Sequence, residues 1–223
     1  MNMETRGEFH VSLQELIVNL RTLSNEVERA IDTSTDALVK QDIQLAKKVI
    51  DNDKQINEKS FALQDTCLML LAQQAPLASD LRLIVSITSI VMDLERIADH
   101  AAGNAKICLL IGKEKHVKEL VDIPIMNEKV KLMLIKAMNS FINKVESDAA
   151  SLQADDDVID ALYKKVYNDL VALMIKNPQY VEACTRLLWV AHNFERMADR
   201  TTNIGERSIF YITGEFPQED TEY

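Results

Sequence analysis

The sequence predicts an all-α protein: two tandem three-helix bundles, six long antiparallel helices in all, related by internal duplication. Three observations predict it. Residues Glu95-Arg96-Ile97-Ala98-Asp99 return as Glu195-Arg196-Met197-Ala198-Asp199, each copy closing a long apolar-periodic segment, 81–94 and 181–194. Among 223 residues there are only five glycines and four prolines, with aromatics at 5%, whereas a β-sandwich or barrel needs frequent turns and aromatic strands. No proline falls inside a periodic run, so none breaks a helix.

The first two helices are expected over 6–40 and 42–74. In the second, Ala46 and Val49 lead to Asp53, then Ile56, Ser60 and Leu63, with Asn57 four positions beyond Asp53. The third, 77–111, opens after Pro76 and closes at Gly112, a C-cap residue type. It carries two apolar stripes, Leu81-Ile84-Thr88-Val91 and Leu83-Ile87-Ile90-Leu94-Ile97, opposite a polar side of Arg82, Ser89, Asp93, Arg96 and His100. The charged stretch 112–123 is the best boundary, dividing the chain into 1–113 and 114–223. Pro124 opens a fourth helix, 124–153, followed by a fifth over 155–176. The sixth, 178–213, has Asn177 as a ready N-cap, Pro178 at its first position, Gly214 as C-cap and Pro217 beyond. Short loops force neighbouring helices antiparallel, hence two three-helix bundles.

Charge and cysteine usage bound the function. The net charge of −10 attracts no phosphate backbone, so nucleic acid is disfavoured as a partner and cations are favoured. Cys67, Cys108 and Cys184 are widely spaced in apolar runs and read as small core residues in a reducing compartment. The N-terminus is polar, and the longest uncharged stretch, 66–79, is too short to span a bilayer, so a cytoplasmic location is expected.

The acids of the repeated motif carry the functional expectation. Glu95 continues the first stripe of its helix, and Glu195 continues Cys184, Leu188 and Ala191, where a hydrophobe would stand. Burying a lone carboxylate costs several kcal/mol unless it is paired or bound to metal. Asp99 and Asp199 lie four positions on, on the same face. Folding each hairpin at Pro76 or at Asn177-Pro178 brings Asn57 level with Glu95, Asp53 with Asp99, Asp160 with Glu195 and Asp156 with Asp199. All-oxygen clusters of this kind suit hard cations, with zinc possible. The alternative is neutralisation by Arg or Lys from a neighbouring helix, or solvation at the rim. Arg96 and Arg196 diverge by about 100° from their adjacent glutamates and are not expected to pair with them. His192, three positions before Glu195, reverses the Glu-x-x-His order of di-iron bundles. Gly103 and Gly205, just past each motif, are open to two readings: close backbone approach or weakened helix.

Asp80-Leu81-Arg82 after Pro76, then Leu94-Glu95-Arg96-Ile97-Ala98-Asp99-His100, then Phe194-Glu195-Arg196-Met197-Ala198-Asp199-Arg200 with Asn203-Ile204, resemble the PhoU family over nearly the whole chain. The resemblance implies a pair of three-helix bundles with Glu/Asp-x-x-x-Asp motifs able to hold multinuclear iron or zinc. It also implies a cytoplasmic, often dimeric, non-catalytic regulator of phosphate uptake and phosphate-starvation signalling. Such a protein links the ATPase of the phosphate-specific ABC transporter to a sensor histidine kinase. The motif carries over to Glu95, Asp99, Glu195 and Asp199, and less directly to Asp53, Asp156 and Asp160. Asn57 replaces an acid, and Gly103 stands where the second repeat has Asn203, so the first cluster departs further from the pattern. Competing readings are a carboxylate-bridged metalloenzyme using two metals to activate water and a metal-free helical interaction scaffold.

Overall fold

In the computed structural model, residues 3–216 are described, with side chains from residue 7 onward. Every regular element among them is helical: α1 (Met3–Lys40), α2 (Ile43–Gln74), α3 (Ala78–Ile111), α4 (Asp122–Asn143), a short α5 (Glu146–Ala150), α6 (Leu152–Lys176) and α7 (Val181–Thr213), with a 3-10 turn at Pro178–Tyr180. The six long helices form two three-helix bundles, α1–α3 and α4, α6, α7, each with the motif helix last. At 1.5 Å per residue, α1 is about 57 Å long. No described helix is long and apolar enough to cross a membrane.

The punctuation follows the backbone chemistry. Asp42 caps α2, its carboxylate accepting from the N–H groups of Gln44 and Leu45, both at 3.0 Å. Gly112 and Gly214 close α3 and α7 at positive φ, their N–H groups donating to the carbonyls of Cys108 and Phe210. Pro124 sits in the first turn of α4, where a missing N–H costs no helical bond. Pro217 lies outside the described residues.

Two expectations are corrected. The fourth helix does not run from 124 to 153: it stops at Lys144, which adopts a left-handed φ of 57°, and α5 intervenes before α6. The break is held by Ser140, whose hydroxyl donates to the Val145 carbonyl at 2.8 Å while its own carbonyl accepts from Val145 N–H. Asn177 makes no side-chain N-cap; its amide donates back to the Leu173 carbonyl and closes α6 instead.

Buried apolar side chains of both halves form one continuous cluster. In α3 the second stripe is fully inside, from Leu83 to Ile97, whereas Leu81 of the first is 40% exposed. The three cysteines are free and buried. The anticipated polar side of α3 is not simply solvated, because α7 packs antiparallel against it. Asp93 meets Arg200 and Asn203, His100 Nδ1 lies 3.2 Å from the Asn193 amide oxygen, and Asn193 donates to Asn104 at 2.8 Å. Both glycines after the motifs mark close approach. A Cβ on Gly205 would stand 2.5 Å from Leu152 Cδ1 and 3.3 Å from the Ala149 carbonyl, and one on Gly103 would stand 3.1 Å from Asn193 Nδ2.

Candidate functional site: two carboxylate seams

The first seam lies between α2 and α3, the second between α6 and α7. Each motif helix presents its acids at the edge of the apolar contact with its hairpin partner. The repeats place them alike: Glu95 and Glu195 are half-buried, Arg96 and Arg196 exposed, Asp99 and Asp199 half-buried, and the residues between them sealed. Two buried residues of each motif, Ile97-Ala98 and Met197-Ala198, lock the helix into the core and so fix which way the flanking acids lean.

Two of the four counted pairs interact, Asp53 with Asp99 and Asp156 with Asp199. Burial raises the Asp53 carboxyl above its ordinary range, and the charge of Asp99 raises it further. Glu95 is raised by burial, by Asp99 and by Asp53, against the opposing pull of Arg96. Across the second seam the effect is larger. Asp156 is 7% exposed, and burial followed by the charges of Asp199, Asp160, Asp157 and Glu195 lifts its carboxyl from 3.8 to about 7. Asp199 is likewise raised, first by burial. Three oxygens in the seams, on Asp53 (Oδ1), Asn57 (Oδ1) and Asp156 (Oδ1), are buried without a hydrogen-bond partner among the described residues.

The arginines are where the expectation fails. Arg196 pairs with its own neighbour, Nε to Glu195 Oε2 at 2.7 Å and Nη2 to Oε1 at 2.6 Å, and its Nη1 reaches Asp199 Oδ2 at 2.9 Å. Arg96 repeats this more loosely, 3.4 Å to Glu95 Oε2 and 3.0 Å to Asp99 Oδ2. A divergence of about 100° describes adjacent Cβ atoms. The guanidinium rides on a long flexible stem with five donors, so it curls back along the surface and spans both acids. The legible signal was the Arg-to-Asp spacing of three, a helical neighbour pair. His192, assigned no role from sequence, places Nδ1 3.2 Å from Glu195 Oε2.

The residues fit a hard cation in their chemistry: oxygen donors, facing acids whose mutual repulsion holds carboxyls up, and orphaned buried oxygens. As folded they do not assemble a ligand shell, since no three His, Cys, Asp or Glu among the described residues converge on one point. Glu95, Asp99, Glu195 and Asp199 are instead held by guanidinium, while Asp53, Asn57 and Asp156 form an unsatisfied inner rank behind them. Asp160 is exposed and contributes charge rather than a contact.

Comparison with known proteins gives a consistent outcome. A family model described as the PhoU domain matches residues 20–108 and again 123–208. A Clostridium acetobutylicum protein, "Phosphate-specific transport system accessory protein PhoU homolog", is 35% identical over 211 residues, covering 94% of this chain and 96% of its own. The Escherichia coli "Phosphate-specific transport system accessory protein PhoU" is 27% identical, covering 96% and 89%. Among solved structures, PhoU from Pseudomonas aeruginosa superposes with a TM-score of 0.89 at 29% identity, covering 93% of this chain and all of its own. The phosphate transport system regulatory protein PhoU from Streptococcus pneumoniae gives 0.87 at 31% identity, covering 94% and 99%.

Proposed function

Because this chain belongs to the PhoU family, we propose that it regulates phosphate uptake as an accessory of the phosphate transport system. In this proposal it is a cytoplasmic, homodimeric adapter between the transporter's ATPase and a sensor histidine kinase, repressing the starvation response when phosphate is plentiful. It is read as a regulator and not an enzyme, and no residue is assigned to catalysis. The halves 1–113 and 114–223 act as matching units.

The observation that carries the reading is the duplicated acidic seam, with orphaned oxygens on Asp53, Asn57 and Asp156 behind an arginine-held front rank. A multinuclear iron or zinc group, when bound, would supply positive charge to the inner oxygens that no arginine reaches. Glu95, Asp99, Asp53 and Asn57 would hold it in the first half; Glu195, Asp199, Asp156 and Asp160 in the second. Without it, Arg96 and Arg196 neutralise the front rank, and Asp156 keeps its proton up to near neutral pH. The arginines and an inorganic cation therefore compete for the same oxygens, so occupancy of a seam frees or withdraws a surface guanidinium.

Deleting the gene should leave starvation genes expressed in abundant phosphate, and repression should return with the wild-type chain but not with the Glu95→Gln, Glu195→Gln chain. Unchanged repression on deletion overturns the regulatory assignment. Protein purified without chelator should contain more than one iron or zinc per chain, lost in the double variant. A metal-free chain whose melting temperature ignores added metal overturns the cluster alone.

A further inference from the structure

Aromatic side chains are scarce in this chain, one Trp, five Tyr and six Phe, yet four ring residues gather in one row on the outer face of the α6–α7 hairpin. Trp189 and His192 lie 5.6 Å apart between ring centroids, His192 and Tyr163 6.1 Å, and Tyr163 and Tyr167 6.5 Å. The two ends of the row are exposed, Trp189 at 58% and Tyr167 at 47%, while Tyr163 packs partly against the core. It runs into the second acidic seam, His192 touching Glu195, with exposed Asp160 on the same helix as the tyrosines. The first repeat lacks it. At the positions matching Trp189 and His192 it has Ser89 and Met92, although the burial pattern of the motif that follows is the same. The scaffold was kept and this skin was changed.

Exposed Trp and Tyr are costly to leave in water and are the residue types that anchor interfaces. Ring faces beside carboxylates select for cationic side chains, which stack on the rings and end on the acids. Arg196 already holds both Glu195 oxygens, so an incoming cation either takes that guanidinium's place or ends on exposed Asp160. The chain's net charge of −10 adds long-range attraction for a basic partner and repulsion for an acidic one. We infer that the row Tyr163, Tyr167, Trp189 and His192, with Glu195 and Asp160, is a docking surface for a protein segment bearing Arg or Lys next to apolar residues. This does not rest on the phosphate reading, but Glu195 and Asp160 are shared with the proposed second cluster, so binding is measured with chelator present.

Trp189 is the sole tryptophan, so tryptophan emission, excited at wavelengths that tyrosine does not absorb, reports this surface. The probe is a synthetic amphipathic Arg/Leu peptide, with a Glu/Leu peptide of the same length and phosphatidylcholine vesicles as comparators. The Arg/Leu peptide should shift the emission to the blue and the comparators should not. By calorimetry, Trp189→Ser, which copies Ser89, and Tyr167→Ser should each weaken binding by about tenfold or more. Phe61→Ser and Leu68→Ser, on the exposed face of the other half, should leave it unchanged. Equal affinity across all variants means attraction by net charge only and overturns the inference. A shift with vesicles, or self-association abolished by Trp189→Ser, overturns it in favour of a lipid or a second copy. The four substituted positions, 61, 68, 167 and 189, are exposed, and circular dichroism is to show each variant folded as wild type.

Discussion

Replacing Asp156 with Asn tests the electrostatics of the second seam directly. Its carboxyl stands at about 7 in the folded chain against 3.8 as a free group. At about 1.4 kcal/mol per tenfold change in proton affinity, keeping it ionised in the fold costs on the order of 4 kcal/mol. The sign follows from which state binds the proton more tightly. Below pH 3.8 both states are protonated and nothing is lost. As pH rises toward 7 the folded state alone holds the proton, and its advantage drains away, reaching about 1.5 kcal/mol of loss at pH 5 and the full amount above 7. The wild-type chain, with chelator present, should therefore lose about 2–3 kcal/mol between pH 5 and pH 8 that the Asn variant keeps. In urea unfolding, with a slope of about 2–3 kcal/mol per M, the full loss of about 4 kcal/mol is a midpoint gap of roughly 1.5–2 M at pH 8 that closes below pH 4. The Asn amide can also donate to the facing Asp199, which supports the same direction. An Asn variant less stable than wild type at pH 8, or a gap independent of pH, would refute the argument.

Three further outcomes are expected. Arg196→Gln removes the cation that holds Glu195 and Asp199, so thermal-shift titration should show zinc or manganese stabilising this variant at lower concentration than wild type; tighter binding by wild type would mean the arginine assists rather than competes. Phe194→Ala deletes a ring with no solvent exposure and should cost about 3–5 kcal/mol by urea unfolding. Gly205→Ala forces a methyl against Leu152 and the Ala149 carbonyl and should cost about 1–3 kcal/mol; a neutral result would show that α5 yields to α7.

The fold was legible because its signals are local and repeated. Pro76 and Pro178 mark turns, and counting residues on either side of them placed Asp53 against Asp99 and Asp156 against Asp199, as their coupled charges bear out. The helix break at Lys144 was not legible, because no Gly or Pro stands there and a lysine carries the left-handed φ. Nor was the guanidinium latch, because Cβ directions do not encode the reach of an arginine stem. The polar side of α3 was read by composition as polar, with no partner assigned to it. Whether Asp93 and His100 meet water or Asn203, Arg200 and Asn193 depends on where the other half packs, which no periodicity within one helix encodes.

The two motif helices are tied at both extremities as well as in the middle. Arg82 of α3 donates to the Tyr211 carbonyl near the end of α7, and Arg186 of α7 donates to the Leu110 carbonyl near the end of α3. Each repeat thus satisfies one terminal carbonyl of the other, a group that has no partner within its own helix. Axial slippage of one against the other would cost all of these bonds and the central amide contacts together. The pair resists shear as a single doubled beam, and the seams on its opposite flanks keep a fixed spacing whatever each one holds.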